Sequence, residues 1–131
     1  MPRQIHAEQK ILDAKAATGV GKSIDVGDFK HLVIAIATAS NANLTVKCQG
    51  ALSESAPNFA NAQSVSNMWD FIEMTDLEDG ASIPGDTGIA PAGTDDFRIL
   101  EVNVSGLKWL TFRVTARSAG SVTVTVMKFS N

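Results

Sequence analysis

The chain has one cysteine, Cys48, so no disulfide can form within it and a secreted disulfide scaffold is excluded. Its two histidines, His6 and His31, fall in the N-terminal segment and at the opening of an apolar run. With one cysteine and these two positions, no Ser/His/Asp or Cys/His constellation can be assembled. Long apolar runs are missing too. The longest, 32–37, is far short of the roughly 20 residues a membrane-spanning helix requires. The opening residues, Met1-Pro2-Arg3-Gln4-Ile5-His6-Ala7-Glu8, lack the apolar core of a signal peptide. The expectation is a protein made in a reducing cytoplasm, not exported by a cleaved signal and without a membrane partner. There is no basic stripe: 11 Lys and Arg are scattered among 14 Asp and Glu, for a net charge of −3. No row of cations is available to neutralise phosphates, which argues against nucleic acid. Internal repeats and low-complexity tracts are absent as well.

What is present is an ordinary globular composition, 44% hydrophobic and 19% charged over 131 residues, enough for one domain (1–131) with its own core. Apolar and polar residues alternate with a period of two. In 98–104, Leu100, Val102 and Val104 alternate with Ile99, Glu101 and Asn103. Leu110, Phe112, Val114 and Ala116 do so in 108–116, and Val122, Val124 and Val126 in 122–127. With Ser105-Gly106 and Ser118-Ala119-Gly120 read as turns, this pattern predicts a three-stranded antiparallel meander. Segment 31–38 is apolar on both faces, as a doubly covered central strand would be. Asn41-Ala42-Asn43 reads as a turn, 44–49 as another strand and 69–75 as a further one. Segment 8–17 suits either a short helix or a strand with Leu12, Ala14 and Ala16 on one face; an extended strand or arm is favoured. The expected fold is all-β, a β-sandwich or jelly-roll of about seven or eight antiparallel strands. Its two long loops, 53–68 and 78–96, are of the kind that meets partners.

Each apparent motif has a plainer structural reading. Ala16-Ala17-Thr18-Gly19-Val20-Gly21-Lys22-Ser23 imitates a phosphate-binding loop, but Ile24-Asp25-Val26-Gly27 downstream is β-like where a helix is required, so a turn is predicted. Asp76, Glu78, Asp79, Asp86, Asp95 and Asp96 gather in the second half but match no Ca²⁺-loop spacing, and Glu73 with Asp76 is a weak pair for glycoside hydrolysis. Cys48 shares a face with Leu44 and Val46 and reads as an inert buried thiol. Trp69 and Trp109 are read first as covered within the fold, then as protein-interface anchors, and last as a platform for a sugar.

The whole layout also carries a family style. Gly21-Lys22-Ser23-Ile24-Asp25-Val26 leads into 29–38, and Val46-Lys47-Cys48-Gln49-Gly50 precedes Ala56-Pro57-Asn58-Phe59. Trp69-Asp70-Phe71, Leu77-Glu78-Asp79-Gly80, Gly85-Asp86-Thr87-Gly88, Gly93-Thr94-Asp95-Asp96 and the stretch from Glu101 to Trp109 follow. This resembles the small β-sandwich virion proteins of tailed bacteriophages that decorate or cement the capsid. The resemblance implies a non-enzymatic structural protein without cofactor or metal, assembled in the host cytoplasm and seated on the capsid exterior. The partners it implies are the major capsid protein and further copies of itself, as a homo-oligomer and often a trimer. The candidate contacts are an N-terminal arm, 1–12, bearing Pro2, Ile5, Ile11 and Leu12, and the first loop with Phe59, Val65 and Met68. Trp69 and Trp109 complete the set. The alternatives are a carbohydrate-binding module on the virion surface, using the tryptophans and acidic loops with Ca²⁺, or a tail or neck protein.

Overall fold

In a computed structural model that describes residues 8–91 and 96–130, the described chain is all-β and antiparallel, with no helix among these residues. Nine strands follow in order: β1 (Gln9–Lys15), β2 (Gly19–Val20), β3 (Ile24–Asp25), β4 (His31–Ala51), β5 (Asp70–Ile72), β6 (Met74–Asp76), β7 (Ser82–Ile83), β8 (Phe97–Asn103) and β9 (Trp109–Phe129).

Two of them dominate. β4 and β9, 21 residues each, pair from His31↔Phe129 to Ala51↔Trp109. The residues read above as hairpin turns do not end strands. Asn41-Ala42-Asn43 and Ser118-Ala119-Gly120 lie opposite each other, and the ladder shifts register between Ala39 and Val46. Ser40 (φ 63°), Asn41 (φ 54°) and Gly120 (φ 76°) are left-handed there. Extra residues in left-handed conformation bend a strand without ending it, so both strands turn one corner together. Gly120 is needed for that fit: a Cβ on it would sit 2.4 Å from the Ala42 Cα and 2.6 Å from the Ala39 carbonyl oxygen.

The bent ribbon makes two layers. The first runs β1, second half of β9, first half of β4, β8, β6, β7. The second sets β2 and β3 against the first half of β9, next to the second half of β4, with β5 and the Val46–Ile89 bridge beyond. A seam joins the layers where the Gly21 amide donates to the Phe112 carbonyl (2.8 Å) and the Lys22 amide to the Ile11 carbonyl (3.0 Å). Leu32, Ile34, Ile36, Leu44, Val46 and Cys48 of β4 meet Leu110, Phe112, Val114, Val122, Val124 and Val126 of β9 in one buried core. Burying each such side chain is worth roughly 1.5–3 kcal/mol.

Several expectations are corrected. Segments 108–116 and 122–127 are one strand, and β8 pairs with β4 and β6, so there is no meander. The first half of β4 is central in its sheet but covered on one side only: Leu32, Ile34 and Ile36 are buried, while Val33, Ala35 and Ala37 are half-buried on the outer surface. Segment 69–75 is two short strands, because the chain crosses at Glu73 from β4 in one layer to β8 in the other. Segment 8–17 is strand, but bulges at 10–15 and a positive φ at Ala14 (49°) turn Ile11 and Leu12 inward together and leave Ala14 and Ala16 exposed.

A candidate partner-binding cleft

At the end of β4 the chain reaches Gly50, whose ladder partners are Asp70 of β5 and Leu110 of β9. The missing side chain leaves room for two others. A Cβ on Gly50 would lie 2.8 Å from Ile72 Cγ1 and 2.9 Å from Leu107 Cδ1. Ile72 and Leu107 therefore close over the glycine and form one wall of a cleft of about 580 Å³. Ala51, Leu52, Val65, Met68 and Trp69 supply the rest of its apolar lining, with Gln63, Ser64 and Asp70 as polar members. Three large side chains stand in solvent around it: Val65 is 92% exposed, Leu52 69% and Met68 49%. Exposed apolar groups clustered in one concavity make a candidate contact surface, whereas the same groups scattered singly would need no explanation.

The loop that offers Val65 and Met68 has almost no strand structure, but side chains hold it. The Asn67 amide nitrogen donates to the carbonyls of Asn58 (2.9 Å) and Ala62 (3.0 Å), and its oxygen accepts the Asn58 amide (2.8 Å). Ser64 and Asn67 exchange backbone hydrogen bonds at 3.1 and 3.0 Å. Gln63 Nε2 donates to the Trp69 carbonyl (2.8 Å) and to Asp70 Oδ1 (3.1 Å). Beneath the loop Ala51, Phe59 and Trp69 form a second small core, against which Val20, Phe71 and Trp109 pack. Buried Gln49 donates from Nε2 to the Phe59 carbonyl (2.9 Å). The loop is a fixed presentation of Val65 and Met68 over a packed base, in which the Gln49 Oε1 is buried without a hydrogen-bond partner.

The candidate contact residues separate into three groups. Val65 and Met68 face solvent at the cleft, and Trp69 lines it while nearly buried. Phe59 is buried below, 6.5 Å from the Trp69 ring, and Trp109 is half-buried with its Nε1 donating to the Glu54 carbonyl (3.1 Å). Ile11 and Leu12 are not on an arm: they are core residues of β1, turned in by its bulges. Pro2 and Ile5 lie outside the described residues. Leu52, Ile72 and Leu107 were not singled out by the sequence. They come from three separate segments, and only the folded register of β4 with β5 and β9 brings them together.

The other motifs are structural where the residues are described. No helix follows Gly21-Lys22-Ser23; Ile24 and Asp25 pair with β9 instead. Three of the acidic residues gather at Arg98, which reaches Asp76 (2.8 Å), Asp96 (3.3 Å) and Glu78 (3.7 Å), while Asp79 Oδ1 accepts the Ala81 amide (2.8 Å) and Asp95 lies outside the described residues. Among the described residues no group of three His, Cys, Asp or Glu side chains is placed to hold a metal ion. Cys48 is buried, and burial pushes its thiol far above the ordinary range, which keeps it protonated and unreactive. His31 stacks on Phe129, with ring centroids 5.3 Å apart.

The chain matches no protein-family model and, in sequence, no curated protein. Solved structures do match it. The SPBc2 prophage-derived protein YomS superposes with a TM-score of 0.73 at 15% identity, over 99% of this chain and 96% of YomS. This chain shares that fold. The PBSX exported protein XepA gives a TM-score of 0.71 at 16% identity over 99% of this chain. That match spans 39% of XepA, so the fold of the whole YomS chain is also one part of a longer protein. The expected all-β architecture is thereby found in a prophage-derived protein.

Proposed function

We propose that this chain is a non-enzymatic structural protein of a phage virion, a decoration subunit that binds between major capsid protein subunits on the head exterior and stabilises the shell. The observation that carries the reading is the apolar cleft, with Val65, Leu52 and Met68 exposed around it on a loop held rigid by its own side chains. A rigid apolar patch with a polar rim is what a protein interface needs, because little ordering entropy is lost on docking. The fold shared with a prophage-derived protein over its whole length agrees with a phage setting. The cleft lining contains one carboxylate, Asp70, held by Gln63 and the Phe71 amide, which is a binding surface rather than an acid–base pair. Sugar binding is less well served, since Trp69 is closed in by Phe59 and Phe71.

Heads assembled from the major capsid protein of the same phage provide the test. Sedimented with such heads, the chain is expected to saturate a fixed set of sites per shell and to raise the temperature at which the shell opens. Mass photometry of the free chain, expected to show a homo-oligomer such as a trimer, gives the assembling unit. A chain that never co-sediments with heads overturns the reading.

A further inference from the structure

The apolar cleft has a neighbour. Ile72 and Leu107, which close over Gly50, also line a second trough of about 290 Å³ with Glu73, Thr75, Glu101, Asn103 and Ser105. One ridge of two side chains thus separates an apolar hollow from a polar one. Thr75 and Glu101 are direct ladder partners, and Glu73 stands two residues before Thr75, so the two carboxylates share the outer face. The lining of the two hollows includes Asp70, Glu73 and Glu101 and no Lys, Arg or His.

Elsewhere several acids are neutralised by a neighbouring cation, as Asp13 is by Lys10. Asp25, Asp76, Glu78 and Asp96 are each within ion-pair distance of Lys108 or Arg98. Among the described residues no ion pair engages Asp70, Glu73 or Glu101. Lys108, the next residue after Leu107, is drawn away to Asp25 at 2.7 Å. An apolar hollow bordered by unpaired charge of one sign complements a ligand that is apolar at one point and cationic at another.

We propose that the two hollows form one groove for a segment of a partner protein carrying a bulky apolar residue with Lys or Arg a few residues away. The apolar side chain fills the cleft between Val65, Met68 and Ile72, and the cation meets Glu73 and Glu101 across the ridge. This rests on the decoration reading for the partner's identity, the capsid subunit, but not for the chemistry of the groove. Phosphate-bearing partners such as nucleic acid or anionic lipid are repelled by the same three carboxylates.

Two short fluorescent peptides provide the test, sharing a Leu-Phe centre and flanked by arginines in one and glutamates in the other. Measured by anisotropy, the wild-type chain is expected to bind the arginine peptide at least about 10-fold more tightly, by a margin that shrinks as salt rises. The double variant Glu73→Lys/Glu101→Lys should reverse the preference, and Val65→Asp should weaken both peptides. All three residues are exposed, so unchanged melting temperatures will show that the fold is intact. Equal affinity for the two peptides, no binding of either, or charge variants without effect overturns the groove. So does a wild-type oligomer that Val65→Asp dissolves, since a second copy would then occupy the cleft. Repeating the head sedimentation with these variants separates the two readings. Heads that take up the lysine variant undiminished leave decoration standing without the groove, while a peptide preference without head binding leaves the groove without decoration.

Discussion

Asp25 sits on the two-residue strand β3 and takes two hydrogen bonds, Oδ2 from Lys108 Nζ at 2.7 Å and Oδ1 from the Gly27 amide at 2.8 Å. The Lys108 bond first, and the Gly27 amide second, hold its carboxyl below the ordinary carboxylate range, and the same contact raises the Lys108 ammonium. A lowered folded-state value stabilises the fold at pH values above the unfolded carboxyl's, about 4, and that contribution fades as pH falls through the folded value. Asp25→Asn should therefore lower the melting temperature slightly near neutral pH, and the two melting curves should converge at the acidic end. A gap that persists undiminished in strong acid would assign the effect to something other than this carboxylate. Arg98 differs, because the Asp76 carboxylate it meets is buried; the arginine holds β6 to β8 from within a shared cluster.

At the scale of the element, the corner decides the fold. Gly120 needs both a left-handed backbone and empty space, whereas Gly80, with a similar φ of 75°, would place a Cβ in open solvent. Gly120→Ala should accordingly cost about 3 kcal/mol or more, since strain and a backbone clash add, and Gly80→Ala only about 1 kcal/mol. Urea denaturation of the pair reads the difference, and equal losses would show that the corner is not tight. The alternation at Leu100, Val102, Phe112 and Val124 made those strands and their core face legible in the sequence, whereas the unbroken apolar run 32–37 marked a strand without showing that only Leu32, Ile34 and Ile36 face the core. Their neighbours were not legible, because Asn41-Ala42-Asn43 and Ser118-Ala119-Gly120 have the chemistry of hairpin turns and only their juxtaposition makes them a bend. Ile11 and Leu12 misled for a related reason: two adjacent inward side chains break the period of two, and bulges leave no mark in composition. Val65, Met68 and Trp69 were singled out from the sequence and do line the cleft. Leu52, Ile72 and Leu107 were not, since nothing local says that Gly50 lets two distant side chains meet.

For the whole molecule, β4 and β9 each belong to both layers, so neither layer is a separable unit. Unfolding should be a single transition, with amides of Ile34 and Val46 exchanging at the same slow, global rate. Two resolved transitions, or one layer exchanging well before the other, would contradict a shared frame. The cleft lies at the far end of that frame from the corner, where the last residues of β4 meet β5 and the first residues of β9. Under the proposed decoration role, a load taken up at Val65 and Leu52 would pass into strands anchored in the full core.

The central ladder also constrains how the chain comes to be folded. Even its nearest partners in sequence, Ala51 and Trp109, are separated by everything from the first loop to β8. No local hairpin can nucleate it. The chain must close that whole loop, losing its entropy, before the first rung returns any energy. Until then β4, with Leu32, Ile34 and Ile36, has an uncovered edge, so the time between synthesis and closure is when this chain is most exposed to pairing with the wrong strand.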